Sequence, residues 1–203
     1  MTDGGSSSTR GLLDRDDSQV VVIDAQAGFF TGHAPADRAG LDAVVARIAW
    51  LVGVAATLGV PVTITEEDPA RNGHTEAAVL AQVREGTRVL DKRVFGLAGQ
   101  PELLAAIEAV GRRTVVLVGA ETDVCVAQSA LGLLERGFRV AVVTDATFSP
   151  GEMHRFGLRR MRDAGVVEIH AKGVYYEWIR TLAEARRLQA ERPDLAEPPG
   201  FSL

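Results

Sequence analysis

The sequence predicts an α/β fold built as a doubly wound, six-stranded parallel sheet with helices on both faces, and three observations carry that prediction. Short β-branched runs alternate with longer segments of helical periodicity from Gln19 onward. Several of those runs are apolar without a break, the pattern of parallel strands buried on both faces. Glycines close the helical segments, where a left-handed residue is needed to turn the chain.

Taken in order, residues 19–23 form the first strand, and residues 39–58 repeat apolar side chains at helical spacing, with Trp50 on the inner face. Residues 61–65 and 87–90 read as the second and third strands. The helix over residues 101–110 starts with Pro101, whose missing N–H is not needed in a first turn, and stops at Gly111. Residues 114–118 form strand four, followed by a helix over residues 125–136 that ends at Gly137. Strand five covers residues 139–143, the helix over residues 152–164 ends at Gly165, and strand six covers residues 166–169. An amphipathic helix over residues 176–189 and a proline-rich tail complete the chain. In such a sheet, ligands bind beyond the carboxyl ends of the strands where strand order reverses, so residues just after strands are the functional candidates.

The chain has 203 residues, 46% of them hydrophobic and 24% charged, with a mean hydropathy of +0.07. That length buries one substantial core, and one domain over residues 18–203 is expected. The preceding residues 1–17 are rich in Gly, Ser and Asp and are expected to be a disordered tail, with too little apolar surface to order themselves. A net charge of −5 and a pI near 5.4 argue against a basic phosphate-binding surface, so nucleic acid is not an expected partner. No stretch is expected to reach the roughly 20 apolar residues of a membrane span, and residues 1–17 lack the apolar core of a signal peptide. One cysteine allows no disulfide within the chain, and the expected location is the cytoplasm, with no membrane partner. The sequence holds no Gly-x-Gly-x-x-Gly, P-loop or internal repeat, and no cofactor is expected.

Cys125 stands where the apolar run Val115-Val116-Leu117-Val118 hands over to a helix. Backbone N–H groups at a helix start favour an anion and lower a thiol pKa, which makes Cys125 a candidate nucleophile rather than a small packing residue. Asp24 follows the first strand and Lys92 the third. A carboxylate can accept the thiol proton and an ammonium can hold the resulting charge, so three strand ends carry a nucleophile with its activators.

The segments Val21-Val22-Ile23-Asp24-Ala25-Gln26-Ala27-Gly28-Phe29-Phe30, Lys92-Arg93-Val94-Phe95 and Gly119-Ala120-Glu121-Thr122-Asp123-Val124-Cys125-Val126 resemble the signature segments of the isochorismatase-like cysteine hydrolases. The resemblance spans residues 19–180 and includes Val143-Thr144-Asp145-Ala146 after strand five. It implies a Rossmann-like three-layer sandwich and an Asp-Lys-Cys triad of Asp24, Lys92 and Cys125, acting on small amides or carbamoyl compounds through a thioester intermediate. It further implies a cis peptide between Ala120 and Glu121, with the backbone N–H groups of Glu121 and Cys125 as the oxyanion hole. Donors fixed at a developing oxyanion are worth on the order of 3 kcal/mol each. The Glu121 side chain is expected to point away or meet an arginine, because a carboxylate beside the sulfur opposes the thiolate. The family resemblance also implies a homo-oligomer, with residues 175–180 as the expected contact segment.

Metal-binding nicotinamidases of that family carry Asp-x-His and a second histidine beyond strand two. Here the region reads Glu66-Glu67-Asp68-Pro69-Ala70-Arg71-Asn72-Gly73-His74, which is expected to be a solvated acidic loop. No metal is expected, and nicotinamide is disfavoured as substrate. Isochorismatases that hydrolyse a vinyl ether lack the cysteine, so Cys125 favours amide chemistry, with vinyl ether hydrolysis as the alternative. A thiol redox sensor or a non-enzymatic binding scaffold is a further alternative, weakened by the lack of a second, resolving cysteine. Gln26, Phe29 and Phe30, just past Asp24, are the candidate substrate contacts, while Tyr175, Tyr176 and Trp178 are expected in the core or an interface. His33, His154 and His170 are expected at the surface or at caps, and Arg155, Arg159, Arg160 and Arg162 on a solvated helix face.

Overall fold

A computed structural model describes residues 11–31 and 35–200 of the chain, with the side chains of residues 35–39 outside that description. Strands β1 (Ser18–Ile23), β2 (Val62–Glu67), β3 (Arg88–Lys92), β4 (Thr114–Ala120), β5 (Arg139–Phe148) and β6 (Val167–Ile169) form one sheet in the order β3-β2-β1-β4-β5-β6. Every neighbouring pair is parallel, as predicted. Strand order reverses between β1 and β4, whose carboxyl ends therefore flank the crevice of a doubly wound sheet. The helices are α1 (Ala27–Phe30), α2 (Pro35–Leu58), α3 (Pro69–Asn72), α4 (Ala77–Leu80), α5 (Pro101–Glu108), α6 (Ala127–Glu135), α7 (Met153–Asp163), α8 (Ala171–Ile179) and α9 (Leu182–Glu191).

Alternate residues of the central strands feed two cores, because successive side chains of a strand point to opposite faces. Val20, Val22, Val116, Val118, Ala141 and Val143 share one core with Ile48, Trp50 and Leu51 of α2 and Tyr175 and Trp178 of α8. Val21, Ile23, Val115, Leu117, Val140 and Val142 share the other with Leu103, Ile107, Leu133 and Met161 of α5, α6 and α7. Both faces being covered, neither half of the alternation is free to be polar. Trp50 is buried on the inner face of α2 as expected, and its indole N–H donates to the Leu195 carbonyl at 3.0 Å.

Four expectations need correction. The strand ladder runs further than apolar content suggests: Glu66 pairs with Asp91 and Glu67 with Lys92, so two polar residues extend both β2 and β3. The terminal helix is split, because Arg180 turns left-handed at φ 59° and the Thr181 hydroxyl then accepts the Glu184 N–H, capping a new helix. Residues 1–10 and His33 lie outside the described residues, but the expected tail is anchored by residue 13: Leu13 is buried, and its N–H donates to Glu177 at 2.5 Å. One stretch does approach a membrane span, Gly40–Leu58, with 19 residues and a mean hydropathy of 1.8. Its apolar content is accounted for by packing against the sheet, where Ile48, Leu51, Val52, Val54 and Ala55 are fully buried.

The approach of β1 to β4 at the crevice depends on Gly119. Its φ is +121°, and a Cβ built there would lie 1.8 Å from the Ile23 carbonyl oxygen, so no other residue fits without moving a strand.

Candidate active site

Four adjacent strand ends deliver four side chains to one place. Asp24 leaves β1 with φ +46°, an uncommon conformation for a residue with a side chain, while its N–H donates to the Thr65 carbonyl at 3.1 Å. β4 ends in a cis peptide between Ala120 and Glu121, as the resemblance implied. The chain then makes a π-helical turn, Thr122–Val126, before α6 begins. Cys125 thus sits inside a π turn rather than at the start of an α-helix, and α7 closes over that turn. Gly157 lets α7 approach so near that a Cβ there would lie 2.7 Å from the Asp123 Cα. Ser149 donates to Asp123 at 2.6 Å, and His154, half-buried, bonds Thr122 at 2.9 Å.

The structure brings Asp24, Lys92 and Cys125 together. Lys92 Nζ lies 2.8 Å from Asp24 Oδ2 and 3.6 Å from Cys125 Sγ, and donates to the Val94 carbonyl at 2.6 Å. Thr65 donates to the other Asp24 oxygen at 2.8 Å. All three residues are buried, Asp24 and Lys92 completely. Burial pushes the Asp24 carboxyl up to about 6, with Lys92 and Thr65 opposing the rise. Burial works most strongly against the Lys92 charge, yet Asp24, Cys125 and Glu67 together outweigh it and hold the ammonium above its usual range.

The thiol does not meet the expectation of a lowered pKa. Burial first, and Asp24 second, push the Cys125 thiol well up, with Lys92 opposing and Glu67 adding to the rise. A helix-terminus effect of up to about 1 kcal/mol is too small to reverse the desolvation of a sulfur facing two carboxylates.

Glu67 is the residue that sequence reasoning missed. Cys125 Sγ donates to Glu67 Oε2 at 3.2 Å, and the same oxygen lies 3.1 Å from Lys92 Nζ. Glu67 is therefore a second carboxylate at the sulfur beside Asp24, whereas the sequence had raised Glu121 alone as a further nearby carboxylate and expected it to point away. The expected solvated acidic loop is not one: Glu66 is buried and bonds the N–H and hydroxyl of Thr75 and the ring of His74, and Glu67 reaches the thiol. A usable signal existed, since Thr65 and Glu67 stand two apart and so share a strand face, the face that meets Asp24.

Asp24, Glu67 and Cys125 place one potential metal ligand each within 4.8 Å of one another. Lys92 Nζ contacts all three, so an ammonium already supplies the positive charge a metal ion would bring.

A cavity of about 500 Å³ opens beside the cluster, lined by Glu67, Asp68, Lys92, Arg93, Val94 and Phe95 among others. None of Gln26, Phe29 and Phe30 is among its lining residues. Gln26 is buried, with its amide committed to the Glu67 backbone and the Gly73 carbonyl, and Phe30 packs against Phe148 at 6.2 Å between ring centroids. In the expected contact segment, Tyr175, Trp178 and Ile179 belong to the chain's own core, leaving Tyr176 and Arg180 exposed.

Fold and site together define an α/β enzyme of the doubly wound class, its polar groups gathered beyond the switch point. The chain belongs to the isochorismatase-like hydrolase family: the Isochorismatase domain matches residues 18–172. Isochorismatase domain-containing protein 2 of Rattus norvegicus is 38% identical over 142 residues, which cover 69% of this chain and 65% of that protein. Isochorismatase domain-containing protein 1 of Danio rerio is 38% identical over 124 residues, covering 60% of this chain and 43% of that protein, so the match spans less than half of its length. Among solved structures, YcaC from Pseudomonas aeruginosa, described with hexane-2,5-diol and covalent acrylamide, is 26% identical with a TM-score of 0.76, covering 94% of this chain and 96% of its own. YcaC from Escherichia coli, described as an octameric hydrolase, is 26% identical with a TM-score of 0.76, covering 91% and 92%.

Proposed function

We propose that the protein is a cysteine hydrolase that cleaves a small amide or carbamoyl C–N bond through a thioester on Cys125. The observation that carries this reading is the contact of one buried ammonium, Lys92, with both a carboxylate and a thiol at the switch point of the sheet. Asp24 takes the thiol proton as sulfur attacks the carbonyl, so the thiolate forms only as the new S–C bond does. The carbonyl oxygen becomes an oxyanion held by the N–H groups of Glu121 and Cys125. Collapse breaks the C–N bond, and the proton on Asp24 leaves with the amine. Water then donates a proton to Asp24 and attacks the thioester, which releases the acid and restores the thiol. Lys92 favours the charged form of Asp24 at the start of each half-reaction and keeps the sulfur aligned.

A raised Asp24 suits this role, because a base near neutrality both accepts and returns a proton readily. The covalent acrylamide described for the Pseudomonas aeruginosa relative is consistent with a reactive group in that protein. Its octameric counterpart in Escherichia coli supports a homo-oligomer here. A single domain in the cytoplasm, with neither metal nor cofactor, completes the reading.

The test is a screen of small amides, ureas and carbamoyl amino acids for released ammonia or amine. Cys125→Ala is expected to abolish turnover of every substrate found; retained turnover would point to vinyl ether hydrolysis or another mechanism. Exhaustive chelation is expected to leave the rate unchanged, and a loss restored by a divalent ion would overturn the metal-free reading.

A further inference from the structure

We propose that the Glu67 side chain is a gate over Cys125, capping the sulfur at rest and rotating into the neighbouring cavity to admit a substrate. The proposal rests on Cys125 being the nucleophile. One oxygen of Glu67 contacts both the sulfur, at 3.2 Å, and the Lys92 ammonium, at 3.1 Å. The Glu67 side chain is 21% exposed while those of Asp24 and Lys92 are 0% exposed. Glu67 also lines the cavity, and Cys125 is not among the lining residues. Glu67 therefore stands between the open space and the thiol.

Its backbone cannot be what moves. The Glu67 N–H donates to Gln26 Oε1 at 2.6 Å, and its carbonyl accepts from Gln26 Nε2 at 3.0 Å and Asn72 Nδ2 at 2.9 Å. Only the side-chain torsions remain, so the gate is a rotation of one residue. This gives Gln26, Glu67's clamp, a positioning role in place of the substrate contact expected for it.

Charge gives the gate a second effect. The charged groups facing the sulfur are Asp24 from β1, Glu67 from β2 and Lys92 from β3, while Asp123 of its own turn is bonded to Ser149 instead. With Glu67 in place, a thiolate would be the third negative charge around one ammonium. With Glu67 turned away it would be the second, and ionisation becomes easier.

The test is the rate of Cys125 alkylation by iodoacetamide, followed by mass spectrometry between about pH 6 and pH 10, in the wild-type protein and in Glu67→Ala and Glu67→Gln. Glu67→Ala is expected to react on the order of tenfold faster near neutrality, with the rate profile moved about one unit to lower pH. Glu67→Gln keeps the bulk and loses the charge, so the profile is expected to move with a smaller rise in rate. Superimposable profiles in all three proteins would overturn the gate, and slower alkylation in the variants would make Glu67 an activating base. If Glu67→Ala melts early, the near-isosteric Glu67→Gln decides the question. Turnover of Cys125→Ala reports separately: its persistence removes the nucleophile reading, whereas unmoved profiles with an inactive Cys125→Ala remove only the gate.

Discussion

Two carboxylates near strand ends, on opposite sides of the switch point, end up with different duties. Asp145 in β5 is a brace. Its Oδ1 accepts the Ala171 N–H at the start of α8 at 2.8 Å, and its Oδ2 lies 3.6 Å from Arg47 of α2 and 3.6 Å from His170. It ties two helices to the sheet and touches nothing reactive. Asp24 takes no N–H from a helix start; its partners are the Lys92 ammonium, the Thr65 hydroxyl and a thiol, with no exposure to solvent. A carboxylate bound to a helix-start N–H and set beside partly exposed cations acts as structure. One desolvated beside a buried ammonium and a thiol acquires a proton affinity that chemistry can use.

The largest test of this contrast is a pair of isosteric changes. Asp24→Asn is expected to cost on the order of a thousandfold in kcat/KM while the protein stays folded, because it removes the proton acceptor. Asp145→Asn is expected to keep turnover per folded molecule and to lower stability by about 1–3 kcal/mol, since a charged acceptor at a helix start is weakened. Urea unfolding beside initial rates separates the two, and equal effects on both measurements would erase the distinction.

A second test uses pH. Asp24 titrates at about 6 in the folded protein against an ordinary 3.8. Between those values the folded state keeps a proton that the unfolded chain has released, so Asp24's own contribution to stability declines by about 3 kcal/mol as pH rises through that window. Catalysis runs the other way, because the base must be ionised: kcat/KM is expected to fall as pH drops below about 6, where Asp24 takes up a proton. Asp145→Asn is expected to leave that acid limb in place, and a limb that moves with Asp145 would contradict the assignment.

The smallest expected effect belongs to Arg47→Gln. Its partly exposed pair with Asp145 is worth about 1 kcal/mol or less, so melting is expected to shift slightly and the pH–rate profile not at all.

The parallel six-stranded sheet and the candidacy of Asp24, Lys92 and Cys125 were legible before any coordinates, whereas the strand order β3-β2-β1-β4-β5-β6 came from the structure. Strands buried on both faces are continuously apolar, and Asp24 and Cys125 follow two such strands, while Lys92 ends the mostly exposed edge strand β3. Glu67 was not legible by the same rule, because Glu66-Glu67 reads as solvated in composition and the ladder that carries both residues is made by backbone pairing with Asp91 and Lys92. The split between α8 and α9 was hidden for a related reason. Arg180 shows no glycine or proline signal, and its left-handed turn is stabilised by contacts with the distant Leu13 carbonyl at 3.2 Å.

The one-dimensional pattern determined what depends on local periodicity: alternating element types, apolar strands, and which polar side chains would stand at strand ends. Tertiary structure alone decided distances and proton affinities. A thiol judged by its own neighbours in sequence looked activated. Folding surrounded it with two carboxylates and one ammonium drawn from β1, β2 and β3, and desolvation within that cluster raised its pKa. Electrostatic energy depends on separation in space and on the loss of water, and neither is written in the order of residues.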